Sequence, residues 1–258
     1  MKKAFIYLVE FLALQLIGGF IVETIWRLVS GTSDVTTAKL ITMTTAVSVV
    51  TIAIFLLARW TVVSPTWLRT RPWTVLAWSV VAALGLIVPS SWLQEQMPEL
   101  PNLMENEFDM LLQNRWGYLA IGLLAPLSEE IVFRGAILKS LLQSSRIPVW
   151  GAIALSALMF AIIHMNPAQM PHAFAIGLLL GWMYWRTGSI LPGMAYHWAN
   201  NSVAYVVSNL YPDPDIKLVD IFKGSEPHVY MALGFSLLIV LPALYQLNLW
   251  MKRADEQA

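Results

Sequence analysis

Three groups of residues set ionisable or amide side chains at helical spacing inside apolar sequence. In Ser128-Glu129-Glu130-Ile131-Val132-Phe133-Arg134, Arg134 follows Glu130 by one helical turn, so the two share a face and can pair. Glu129 lies about 100° around the helix from Glu130 and is left as the unpaired carboxylate, the better placed for chemistry. Phe160 and His164 are again four apart, as are His197 and Asn201. A carboxylate, two imidazoles and an amide on separate helices could close a water-containing polar pocket. That is the inventory for activating a water and stabilising an oxyanion. Each feature has a structural alternative: a buried His can bridge two helices, and Glu130 with Arg134 can be a plain lock. Their coincidence in neighbouring segments is what points to chemistry.

The elements that must position these groups are membrane helices. Of 258 residues 57% are hydrophobic and only 12% charged, about half the usual quarter for a soluble domain. A net charge of zero leaves no basic footprint for nucleic acid, and the absence of cysteine removes disulfides, thiolate nucleophiles and Cys-ligated metals. A bilayer core needs roughly 20 apolar residues of helix per crossing. Runs of that kind are Ala4 to Ile25, Leu40 to Ala58, Pro72 to Gln94, Trp116 to Leu142, Thr187 to Pro212 and Pro227 to Met251. The long uncharged run from Ile147 to Trp185 is divided by Asn166, Pro167 and Pro171 into two more. The reading is an all-α polytopic bundle of eight spans, a single integral membrane domain over 1–258 with a motif core at about 116–209. The first helix is read as retained rather than as a cleaved signal.

Lys and Arg divide ten to five between the two sides, the ten including Arg59, Arg69, Arg71, Lys252 and Arg253, which predicts both termini in the cytoplasm. The acidic stretch from Glu95 to Arg115 would then lie outside, as a solvated loop or, alternatively, an amphipathic lid. His172 and His228 read as interfacial, and Glu10 and Glu23 have no partner evident in sequence. Counting 1.5 Å per residue sets Glu129 about 10 Å and His197 about 12 Å from the inner edge. The same count puts His164 about 25 Å away, so its span either starts later, near Trp150 and Gly151, or tilts.

The motifs resemble those of the CPBP family, the CAAX-protease and bacteriocin-processing intramembrane peptidases: Glu-Glu-x-x-x-Arg at Glu129, Glu130 and Arg134, Phe-x-x-x-His at Phe160 and His164, and His-x-x-x-Asn at His197 and Asn201. All three occur in the family's order, between about Leu123 and Asn209. The resemblance implies a peptidase working inside the cytoplasmic membrane of a bacterium on a membrane-associated peptide or protein, such as a prenylated CAAX substrate or a leader peptide. It also implies that Glu129 with His164 activates the water, that His197 and Asn201 hold the oxyanion, and that Glu130 and Arg134 organise the site. Whether a metal takes part stays open, because two His and a Glu could ligate zinc. The soluble zincin motif His-Glu-x-x-His is absent. A non-catalytic membrane-binding or immunity protein is the alternative, and a proton-coupled transporter lacks repeated halves or paired broken helices.

Overall fold

A computed structural model describes residues 1–61, 72–213 and 216–251, and every regular element in it is helical. Helices α1 (Lys2–Ser30) and α2 (Thr37–Leu57) form an antiparallel pair, followed by α3 (Trp73–Glu95) and the short α4 (Glu105–Leu112). A continuous helical stretch over 115–142, α5, is followed by α6 (Val149–Ile162), α7 (Met170–Thr187) and α8 (Leu191–Leu210). A single turn, α9 (Leu218–Ile221), leads into α10 (Glu226–Trp250). Local sequence explains the boundaries. Pro171, Pro192 and Pro227 stand in the first turns of α7, α8 and α10, where a missing N–H costs nothing. Gly31 and Gly188 close α1 and α7 in the left-handed conformation.

Eight helical stretches lie where the spans were expected, but among the described residues only α1, α2, α3 and α10 have both the length and the hydropathy for a crossing. Helix α6 has only 14 residues. Helix α5 is divided by its π-helical stretches into segments of at most eight residues, while α7 and α8 carry polar groups that lower their hydropathy. The crossing helices are apolar on their outward faces, with Leu16, Phe20 and Leu238 exposed, as lipid-facing helices are. Four cations used to assign orientation, Arg69, Arg71, Lys252 and Arg253, lie outside the described residues.

Two apolar clusters hold the bundle. In one, Phe11 of α1 packs edge-on against Phe133 of α5, which in turn meets Phe160 of α6. In the other, α3, α7, α8 and α10 meet around Ala82, Leu180, Tyr196 and Leu247. Several local expectations change. Glu23 has a partner after all, because Lys39 forms an ion pair with it across the α1–α2 pair. His228 is exposed in the first turn of α10, and Glu10 is exposed on α1. The acidic segment is more than a solvated loop. Within it, α4 is amphipathic, buries Leu111 and is anchored where the Asn209 amide donates to the Leu112 carbonyl (2.8 Å) and the Leu103 N–H to Asn166 (3.1 Å).

Candidate active site

Helix α5 is not a uniform α-helix. An α segment, Ala125–Val132, carries Glu129 and Glu130 between two π-helical stretches, Tyr118–Leu124 and Phe133–Leu138. Pro126 has no N–H for the preceding turn, and there the Ala125 N–H reaches back five residues to the Ala120 carbonyl. The second wide turn is engaged from outside: Thr61 donates to the Ile131 carbonyl (2.6 Å) and Ser156 to that of Phe133 (3.1 Å). Gly135 makes the first of these contacts possible, since a Cβ there would fall 2.2 Å from the Thr61 methyl. Single π turns are rare and concentrate at functional sites.

Glu130 and Arg134 are both fully buried, and Arg134 Nη1 lies 2.7 Å from Glu130 Oε1. The guanidinium also rests 4.6 Å over the Phe160 ring and reaches the Gly177 carbonyl at 3.4 Å. Paired in this way, the two charges avoid the cost of lone burial. The same Glu130 oxygen accepts from His197 Nδ1 at 3.2 Å, which fixes the tautomer and leaves Nε2 on the other side of the ring. His197 Nε2 lies 3.6 Å from Glu129 Oε2, a separation that one water can bridge. Glu129 itself is partly exposed (18%), unlike its fully buried neighbour.

His164 lies in the turn just after α6, its Nδ1 donating to the Phe160 carbonyl (2.8 Å) and its ring edge-on to Phe160. The next residue, Met165, has a positive φ of 50°, a conformation costly for a side-chain-bearing residue, and here the chain leaves the helix. The helix before His164 starts at Val149, two residues after Ile147, and ends at Ile162, so His164 lies beyond its last turn. Asn201 donates one amide N–H to the Ile121 carbonyl (3.0 Å) and accepts from Asn200 (3.3 Å).

These groups converge. One cavity of about 330 Å³ is lined by Glu129, His164, His197 and Asn201 together, with Phe160 in its wall. Glu130 and Arg134 stand behind His197 rather than in the lining. Three further residues belong to the cavity and were not picked out from sequence. His172, read from sequence only as interfacial, lines it and contacts Gln94 at 3.2 Å. Asn200 lines it one position before Asn201, and Phe108 of α4 covers it. For His172 the signal was present, as an ionisable group in a long run without charges. Phe108 could not be assigned, because its contact joins segments distant in the chain. Among the described residues no three His, Asp or Glu side chains gather as a donor set for a metal ion.

Residues 111–203, which contain all seven motif residues, match the family model described as Type II CAAX prenyl endopeptidase Rce1-like. No curated protein and no solved structure matches the chain. The matched family is one of membrane proteases, and the sequence motifs, the cavity and the match fall on the same stretch. Over residues 111–203 the chain is thus similar to the type II CAAX prenyl endopeptidase family.

Proposed function

We propose that the protein is an intramembrane endopeptidase that hydrolyses a peptide bond of a membrane-associated substrate with a water activated by Glu129. The observation that carries this reading is the single cavity into which Glu129, His164, His197 and Asn201 all open. A water between Glu129 Oε2 and His197 Nε2 meets two acceptors and can give a hydrogen to each. Glu129 takes a proton as the water attacks the substrate carbonyl, and returns it to the leaving amine when the C–N bond breaks. Asn201 has a second N–H for the developing oxyanion. Glu130, held by Arg134, keeps the His197 ring in place through Nδ1. His164, with Nδ1 tied to the Phe160 carbonyl, offers Nε2 to the water or the substrate. We further infer that all eight helical stretches cross or enter the membrane, with the face richer in Lys and Arg in the cytoplasm.

The test is cleavage of prenylated and unprenylated membrane peptides by purified protein in detergent. Wild type is run beside Glu129→Ala and His164→Ala, with and without a zinc chelator. Loss of a general base lowers the rate roughly 10²- to 10⁴-fold, so Glu129→Ala is expected to retain under about a hundredth of the activity. Cleavage is expected to survive chelation. Undiminished hydrolysis by Glu129→Ala refutes the mechanism, and abolition by the chelator replaces it with a metal-dependent one. A non-catalytic binding role predicts no cleavage and a cellular phenotype indifferent to Glu129 and His164.

A further inference from the structure

A second cavity of about 430 Å³ adjoins the first. Phe108, Leu112, Gln169, His172, Asn200 and Ala204 line both, so the two form one passage with His172 at its waist. The second cavity extends away from Glu129 towards the segment 95–115, reaching Gln94 at the end of α3 and Asp213 beyond the end of α8. Helix α4 roofs it with two i,i+4 pairs. Phe108 and Leu112 lie at the throat, and Glu105 and Asp109 line the outer chamber alone. Among the described residues the chamber's lining holds the carboxylates Glu105 and Asp109, with Asp213 already engaged by another group, and no Lys or Arg. Among the described residues neither Glu105 nor Asp109 is in an ion pair.

Resting on the peptidase reading above, we propose that this chamber is the entrance by which the substrate reaches Glu129, and that it selects a peptide with basic side chains flanking the scissile bond. The passage supplies the route, since an extended chain running under α4 past His172 meets the catalytic cavity. The carboxylates supply the selection. A cleft lined by one sign of charge raises the local concentration of the opposite sign, and low-dielectric walls sharpen the effect. The hydroxyls and amides of Ser90, Ser91 and Gln94 add hydrogen-bonding groups for a peptide backbone without adding charge.

The experiment uses the full chain in detergent at low salt with three peptides that differ only beside the scissile bond: Lys-Lys, Glu-Glu or Ser-Ser. Wild type is expected to cleave the Lys-Lys peptide with a kcat/KM at least about tenfold above the Glu-Glu peptide, with the ratio shrinking as salt is added. In E105Q/D109Q the ratio is expected to fall towards one, and Glu129→Ala is expected to abolish cleavage of all three. Equal wild-type rates on the charged peptides, with cleavage still dependent on Glu129, overturn the entrance proposal and leave the peptidase standing. No Glu129-dependent cleavage of any of the three overturns the peptidase reading and this proposal with it. The wild-type comparison requires no variant to fold.

Discussion

Gly193 lies on α8, one turn before His197, and its missing side chain leaves room for Glu130. A Cβ at that position would lie 2.7 Å from Glu130 Oε2 and 3.6 Å from Leu180 Cδ2. Ordinary contact begins at 3.4 Å, so in Gly193→Ala the carboxylate has to retreat by roughly 0.7 Å. It cannot do so freely, because Oε1 is bonded to Arg134 at 2.7 Å and to His197 at 3.2 Å. The longer bond is the one that yields. A hydrogen bond to a charged group contributes about 1.5–3 kcal/mol, which at 1.36 kcal/mol per decade is roughly 10- to 100-fold in rate if the orientation of His197 matters as proposed. Alanine inside a helix meanwhile favours the fold over glycine by about 0.5–1 kcal/mol. The lost bond outweighs this gain, so the expected phenotype is a thermal midpoint lowered by a few degrees with hydrolysis reduced at least about tenfold. The assay pairs peptide cleavage with tryptophan-fluorescence melting in detergent. Gly234→Ala on α10 is the control, since nothing lies within 4 Å of its Cβ. A Gly193→Ala enzyme with undiminished activity would show that Glu130 does not position His197.

Arg134→Ala strands Glu130 at full burial, a defect of about 3–5 kcal/mol. The variant is expected not to accumulate as monodisperse protein on size-exclusion chromatography, and a wild-type yield refutes the account. Arg134→Lys keeps the charge but loses the guanidinium over Phe160 and the contact with Gly177, so an intermediate yield is expected. Orientation can be read with single cysteines, because the native chain has none. Single cysteines are placed by Ser33→Cys, between α1 and α2, and by Ser145→Cys, between α5 and α6. A membrane-impermeant maleimide is expected to label the first in intact cells and the second only after permeabilisation. The reverse pattern refutes the assigned orientation.

The helices were largely legible because lipid demands long apolar runs, and the runs ending at Ala58, Gln94 and Met251 fall within a residue of the observed ends of α2, α3 and α10. The Glu130–Arg134 pair was legible for a local reason, since helical periodicity fixes i,i+4 neighbours. What was not legible involved contacts between distant segments or departures from ideal helix. Glu23 and Lys39 are 16 positions apart in antiparallel helices, and no local rule joins them. The acidic segment looked solvated because it gathers five carboxylates between two apolar runs, yet Phe108 and Leu112 place one face of α4 against the cavity. His172 stands at the start of α7 beside Pro171, and its place in the cavity wall rests on residues distant in the chain, such as Gln94 at the end of α3.

Helix α6 has a consequence for the surrounding lipid. Its 14 residues extend about 21 Å, well short of a hydrocarbon core of roughly 30 Å. The chain that follows, 163–169, is non-helical, and such backbone is tolerated at that depth only inside protein or beside water. Asn166 meets the requirement, fully buried and bonded to Asn102, while Ile162 and Met165 remain exposed on the flank. With α6 crossing as proposed, lipid against this side has to thin or draw its headgroups inward, at a cost of a fraction of a kcal/mol per Å. The depression brings bulk water closer to His164. Catalysis in vesicles should then track acyl-chain length, falling as the bilayer thickens, so the membrane's own composition would act as a rheostat on the enzyme.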